Sequence, residues 1–355
     1  MSVRLPSALT PPGTVTNGSG AEGEDTKRSA VLNAVDRFGD YWMLGVFVIM
    51  VLVFGFLSPS HDLFTRASWL NISQYAVEFL LLAIGQTFVI ITGGIDLSDG
   101  AVLGFTGMVS GVVMQSLLNG HTNVTLTTVA GFATALALGA FIGLVNGYLI
   151  TRLKLPPFIV TLGTLTAIGA GATPLINGGN EVINLPSQIG TIGQTLIGGW
   201  IYVPVLVAAV SCVVMGLVLH RTRFGLRTYA IGSNGVGARR AGISVDNHLV
   251  GVYTISGLLA GLAGMMVMAN FTDASPLAGQ NDELNAIAAV VIGGASLFGG
   301  RGHMLGTVVG TFIIALLVTG LVLVGVSGSW QEVATGVIVV AAVAGDQVRL
   351  RLAER

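Results

Sequence analysis

The chain has 355 residues, 52% of them hydrophobic and 9% charged, with 51 glycines and a formal net charge of −1. Soluble domains carry roughly 25% charged residues, so the composition excludes a water-soluble protein and describes a polytopic membrane protein whose glycines suit closely packed helices. The near-neutral charge gives no basis for a nucleic-acid partner. The single cysteine, Cys212, lies in an apolar run, which excludes an internal disulfide and offers no redox or metal role.

Residues 1–30 are rich in Pro, Gly, Ser and Thr and lack apolar clusters, so they are expected to form a disordered cytoplasmic tail. They do not read as a signal peptide, because the first long apolar run begins only near Tyr41 and no cleavage pattern follows Lys27 and Arg28. A membrane span needs about 20 apolar residues. Ten runs qualify: 42–58, 69–92, 98–118, 124–150, 157–177, 201–220, 249–270, 284–300, 304–325 and 330–346. The third, eighth and tenth have the least definite limits. Glycine pairs at Gly93-Gly94, Gly293-Gly294 and Gly299-Gly300 read as bent or re-entrant segments, which survive at membrane depth only when packed by protein or facing a water-filled cavity.

Lysine and arginine placement orients the chain. With the N-terminus inside and ten crossings, 15 of the 16 basic residues fall on the cytoplasmic side and only Arg66 falls outside. Both termini are then cytoplasmic, 221–248 is a cytoplasmic loop, and the polar segment 178–200 is extracytoplasmic.

Ionisable residues within the apolar runs are sparse: Glu78 in the second, Asp96 and Asp99 bordering the third, and Glu332 opening the tenth. The histidines, His61, His121, His220, His248 and His303, sit at or beyond run ends, so a proton relay has little support. Neither lysine, Lys27 or Lys154, follows a phosphate-cradling glycine loop. If ATP drives the protein, another subunit hydrolyses it. Zinc-ligand spacing and a hydrolase triad are also absent from the sequence, so no catalytic residue and no metal ligand is assigned.

Three segments carry more information. In Thr92-Gly-Gly-Ile-Asp-Leu-Ser-Asp-Gly100, Asp96 and Ser98 are placed either to cap the following helix or to contact a transported molecule or gate. The stretch 287–302 echoes it, with a β-branched pair, Gly-Gly, Leu and Gly at the same spacing, through an internal repeat or through convergence of glycine-rich turns. The loop 221–248 holds five arginines and a short helix at 235–242, a form suited to docking into a groove of a cytosolic partner. A pure charge role beside anionic lipid is the alternative.

On these residues the chain resembles the permease subunits of bacterial ABC importers for simple sugars, the ribose/xylose/galactose type, within the branched-chain amino-acid permease superfamily. The resemblance is carried by GGIDLS (93–98), Asn146-Gly147, LPPFIVTLGT (155–164), RTRFGLRTYAIGSN (221–234), AGIS (241–244), SGLLAGLAG (256–264) and ELNAIAAVVIGGASLFGG (283–300). It implies an all-α polytopic fold of the type II ABC importer permease class with about ten transmembrane helices over residues 41–349. It also implies a multi-pass location in the bacterial plasma (inner) membrane.

The implied partners are a second permease subunit, as a homodimer, a cytosolic ATPase with two nucleotide-binding domains that binds ATP and Mg, and an extracytoplasmic sugar-binding protein. This chain itself has no cofactor and is not an enzyme. By the same resemblance the coupling helix comprises Asn234, Gly235, Ala238, Arg239, Arg240, Ala241, Gly242 and Ile243. The chain departs from the family pattern there, with Gly235-Val236-Gly237-Ala238 and then two arginines where an acidic residue and two alanines are usual. Its docking surface is therefore more basic and its helix intrinsically weaker. The implied sugar pathway needs hydroxyl and amide groups, for which Asn71, Gln74, Gln86, Asp96, Asn146, Asn177 and Asn285 are the candidates. Each is equally suited to hydrogen bonding between helices. A nucleoside or amino-acid permease, or an ion-coupled secondary transporter, is the alternative.

Overall fold

The computed structural model describes residues 43–353. The tail expected at 1–30 lies outside them. Among the described residues, seven helices are long and apolar enough to cross a membrane. A shorter apolar helix, α1 (Met43–Leu57), precedes them. Then come α2 (Arg66–Ile91), α3 (Asp99–Asn119), α4 (Val124–Arg152) and a compound span, Pro157–Gly179, that begins as α5 (Pro157–Leu165). The short α6 (Ser187–Gln194) leads to a two-stranded antiparallel hairpin, β1 (Leu196–Ile197) and β2 (Ile201–Tyr202), in which Leu196 faces Tyr202. After it follow α7 (Val203–Arg221), α8 (Arg223–Ser233), α9 (Gly235–Arg240) and α10 (Val245–Phe271). The chain ends with α11 (Asp282–Ile292), α12 (Met304–Leu323) and α13 (Gly328–Ala353).

The ten expected runs all contain helix, but they do not all hold a full span. The eighth, expected at 284–300, is helical only where it overlaps α11, whose 11 residues end before the chain turns at Gly293-Gly294. At 1.5 Å per residue, such a helix reaches about 16 Å, half the thickness of a bilayer core. The fifth, 157–177, is α5 followed by a π-helical turn over Thr166–Ala172 and a 3₁₀ segment over Thr173–Gly179.

Local chemistry sets most boundaries. Thr65 caps α2 by accepting a hydrogen bond from the Ser68 amide, and Asn123 caps α4 by accepting from Thr125 and Leu126. Gly93, at φ +82°, ends α2 in the left-handed conformation that a side chain resists.

Helix α10 is central and packs on α4, α2 and α3. Its contact with α4 is a backbone-to-backbone approach. A Cβ at Gly143 would sit 2.1 Å from the Tyr253 carbonyl oxygen, and one at Gly257 2.2 Å from that of Gly139. Such approach replaces the missing hydrophobic drive between membrane helices with dispersion contact. The most apolar stretch of α2 is 83% buried, whereas that of α7 is only 17% buried, so α2 is a core element and α7 presents its length outward.

The two ends of the bundle have different partners. At one end, the Gly300 amide donates to the Ile91 carbonyl (2.8 Å), the Tyr229 hydroxyl to that of Gly302 (2.6 Å), and Arg152 reaches Asn247 (3.3 Å). At the other, Val182 and Ala274 form an isolated antiparallel bridge, and Gln74 donates to the Gly193 carbonyl (3.3 Å). The segment 274–279 then runs inward alongside α3, with Ala274 beside Gly111 and the carbonyls of Ala278 and Gly279 against Gly104 and Gly100.

Candidate functional site

The turn between α2 and α3 places its polar residues inside the protein. Asp96 (2% exposed) accepts hydrogen bonds at Oδ1 from the Ser98 amide (2.9 Å) and the Ser98 hydroxyl (2.6 Å). Its Oδ2 accepts from the Ser256 hydroxyl of α10 at 3.2 Å. Asn146 of α4 donates to Ser98 Oγ at 2.9 Å and accepts at Oδ1 from Thr164 of α5 at 2.5 Å. From α2, Gln86 donates to the Asp96 carbonyl and to Asp99 Oδ2, the latter at 2.9 Å. One connected polar node therefore ties together α2, α3, α4, α5 and α10.

No ion pair supports these carboxyl groups. Among the described residues the one salt bridge is Arg239–Asp246, on the surface. The node relies on hydroxyl, amide and backbone dipoles, which a buried carboxylate requires when no cation is near. Ser98 occupies the N-cap position of α3, but its side chain makes no capping bond there, and Asp96 serves the turn preceding the helix. The expected capping of α3 by these two residues is thus replaced by a turn closed on Asp96.

Of the seven pathway candidates, the structure unites Gln86, Asp96 and Asn146. Gln74 bonds across to the α6 backbone, and Asn177 is exposed, donating to the Asn180 and Glu181 carbonyls. Asn71 is exposed on α2. Asn285 lines a separate cavity of about 530 Å³ with its Oδ1 lacking a hydrogen-bond partner. Sequence reading did not assign Thr164, Ser256 or Glu283. Thr164 and Ser256 lie in the stretches LPPFIVTLGT and SGLLAGLAG, which gave the only signal for them.

Acidic residues also border the inward-running segment. Glu78, Glu181, Asp273 and Asp282 line a cavity of about 370 Å³. Burial, and then the Glu181 carboxylate, push the Asp273 carboxyl above its ordinary range.

At the opposite end, α8 and α9 form a compact surface unit. Thr222 caps α8, and Asn234 caps α9 by accepting from the Gly237 amide at 2.8 Å. The amides of Gly242 and Ile243 close the helix on the carbonyls of Arg239 and Ala238, with Gly242 at φ +83°. Ala238 (6% exposed) is buried beside Ile231 and Val245, while Val236 is 65% exposed. Arg239 pairs with Asp246 at 2.9 Å, and Arg240 is exposed. The side chains of that pair are 61% and 36% exposed, so it contributes little stability and leaves α9 a basic, partly apolar outer surface.

These features define a polytopic α-helical membrane protein braced by a buried polar node and carrying a short exposed helix at one end. Residues 68–343 match the family model described as the branched-chain amino acid transport system / permease component, and the chain belongs to that family. It is 39% identical over 326 residues to the ribose import permease protein RbsC of Bacillus subtilis (strain 168), covering 91% of this chain and 96% of that protein. It is 37% identical to the D-allose transport system permease protein AlsC of Escherichia coli (strain K12), covering 88% and 92%. It is 35% identical to the fructose import permease protein FrcC of Rhizobium meliloti, covering 85% and 83%. No solved structure matches the chain at a significant level.

Proposed function

We propose that the chain is the transmembrane permease subunit of an ATP-binding cassette importer and forms the pathway for a monosaccharide. The observation that carries this reading is the near full-length similarity to permeases named for ribose, D-allose and fructose. The α8–α9 unit supports it: a capped helix with exposed Val236 and Arg240 is suited to a groove on a cytosolic ATPase. In this reading that end is cytoplasmic, as are both termini, and the chain lies in the bacterial inner membrane with about ten membrane-embedded helices. ATP and Mg bind the ATPase partner. A second copy of the permease completes the pathway, and an extracytoplasmic binding protein delivers the sugar over the end formed by 178–202 and 272–281.

The test is a double charge reversal, Arg239→Glu with Arg240→Glu, in the transporter reconstituted in proteoliposomes with its ATPase and binding protein. Membrane insertion is expected to persist while both sugar uptake and stimulated ATP hydrolysis are lost. Normal uptake by the double variant overturns the coupling role of α9. Uptake by the chain alone, without ATP and abolished by an ionophore, overturns the importer assignment.

A further inference from the structure

We propose that a transit subsite for a neutral polyhydroxylated ligand lies between α3, the end of the compound span 157–179 and the inward-running segment that opens α11. The inference rests on the reading of the chain as a sugar permease and places a specific contact within it. A cavity of about 520 Å³ occupies this position, within the usual range of about 300–1,000 Å³ for small-molecule sites. Small residues such as Gly104 and Ala170 leave room on one side, and Thr173, Gln280, Asn281 and Glu283 supply polar groups on the other.

Glu283 is the reason to assign a ligand. It is 5% exposed, it borders the cavity, and its Oε2 has no hydrogen-bond partner among the described residues. A buried carboxyl oxygen without a donor is costly; Oε2 is enclosed against Gly100, and a rotation of the Glu283 side chain toward the cavity lets a ligand hydroxyl supply the donor. No side chain caps α11: Asn281 holds the N-cap position at φ +66° without a capping bond, its amide nitrogen donating to Glu332 at 3.4 Å instead.

The lining chemistry selects among ligand classes. Among the described residues, no lysine, arginine or histidine lines this cavity. The adjoining one, which shares Gly104, Gly279 and Gln280 with it, adds Glu78, Glu181, Asp273 and Asp282. A ligand with a carboxylate or phosphate would find no counter-charge among these carboxyl groups. A sugar instead donates hydroxyls to Glu283, exchanges hydrogen bonds with the amides of Gln280 and Asn281, and rests its C–H surface on the glycine and alanine wall. The absence of any aromatic side chain from the lining among the described residues limits the affinity, as a passage that must release its cargo requires.

Two variants of the complete reconstituted transporter test the subsite, with radiolabelled D-ribose, D-allose and D-fructose as probes and ATP hydrolysis followed in parallel. Glu283→Gln keeps the side-chain shape but replaces the carboxyl group with an amide. Ala170→Trp fills the cavity from an exposed position. Each is expected to reduce uptake at least about tenfold, with ATP hydrolysis stimulated by the binding protein near the wild-type level. Wild-type uptake by assembled Glu283→Gln transporter overturns the subsite. If Glu283→Gln fails to assemble, Ala170→Trp decides: reduced uptake with retained ATP hydrolysis supports the subsite, and normal uptake overturns it. Absence of uptake of all three sugars by the wild-type transporter overturns the sugar-permease reading and the subsite with it.

Discussion

The turn after α2 and the turn after α11 are built from similar residues but serve different purposes. Both helices end in a glycine of positive φ, Gly93 at +82° and Gly294 at +90°. Each ending is closed by two amides: Gly93 and Gly94 onto Ile90 and Val89, and Gly294 and Ala295 onto Val291 and Val290. The sequence echo aligns Gly93-Gly94 with Gly293-Gly294, yet the backbone aligns Gly93 with Gly294, one residue out of register. The side-chain turns nevertheless keep the sequence register. Asp96 Oδ1 accepts from the amide two residues on, and so does Ser296 Oγ, from Phe298 at 3.3 Å.

A neutral serine therefore suffices to close such a turn. A carboxyl group is not needed locally, and the second oxygen of Asp96 serves the tertiary structure by accepting from Ser256 of α10. What separates the two turns is their surroundings: the first lies at the centre of five helices, and the second passes beneath α8 toward α12.

Three substitutions sharpen this contrast. The largest effect is expected from Asp96→Leu, which strands the Ser98 amide and the Ser256 hydroxyl in a buried setting. A loss of about 3 kcal/mol or more is expected, read as a collapse in the yield of monodisperse protein in detergent. Asp96→Ser makes the first turn resemble the second. It is expected to keep the turn but lose the α10 contact, at a cost of about 1.5 kcal/mol, with a lowered thermal transition and intact membrane insertion. Equal losses for the leucine and serine variants would show that the local turn contributes nothing. The smallest effect is expected from Gly294→Ala, because no atom lies within 4 Å of the added Cβ and only the left-handed backbone resists it. That strain is about 1 kcal/mol, and a loss as large as that of Asp96→Leu would reveal a packing role the geometry lacks.

Much of the site was legible in the sequence. Asp96 and Asn146 stand out as polar groups in apolar runs, and Asn234 with Gly242 announces a short capped helix. Legibility ended where function depended on hydroxyl residues. Ser256 and Thr164 are ordinary in membrane helices, where a hydroxyl can bond to its own backbone, as Thr254 does to Val250. Only the approach of α10 and α5 to the first turn gives them partners. Glu283 heads the stretch ELNAIAAVVIGGASLFGG but was not readable as a cavity wall, because the inward course of 274–279 is set by α3.

By itself, the sequence determined the membrane class, the positions of the helical runs, the glycine turns and the family. Low charge and long apolar runs permit few other solutions, and caps and glycines act within a few residues of themselves. The tertiary structure alone decided that the segment before α11 runs inward beside α3, that α2 is buried while α7 faces outward, and which hydroxyls complete the node. A helix apolar on every side carries no periodic mark of which face meets protein and which meets lipid. That choice is made by glycine contacts and polar bonds between segments far apart in the chain.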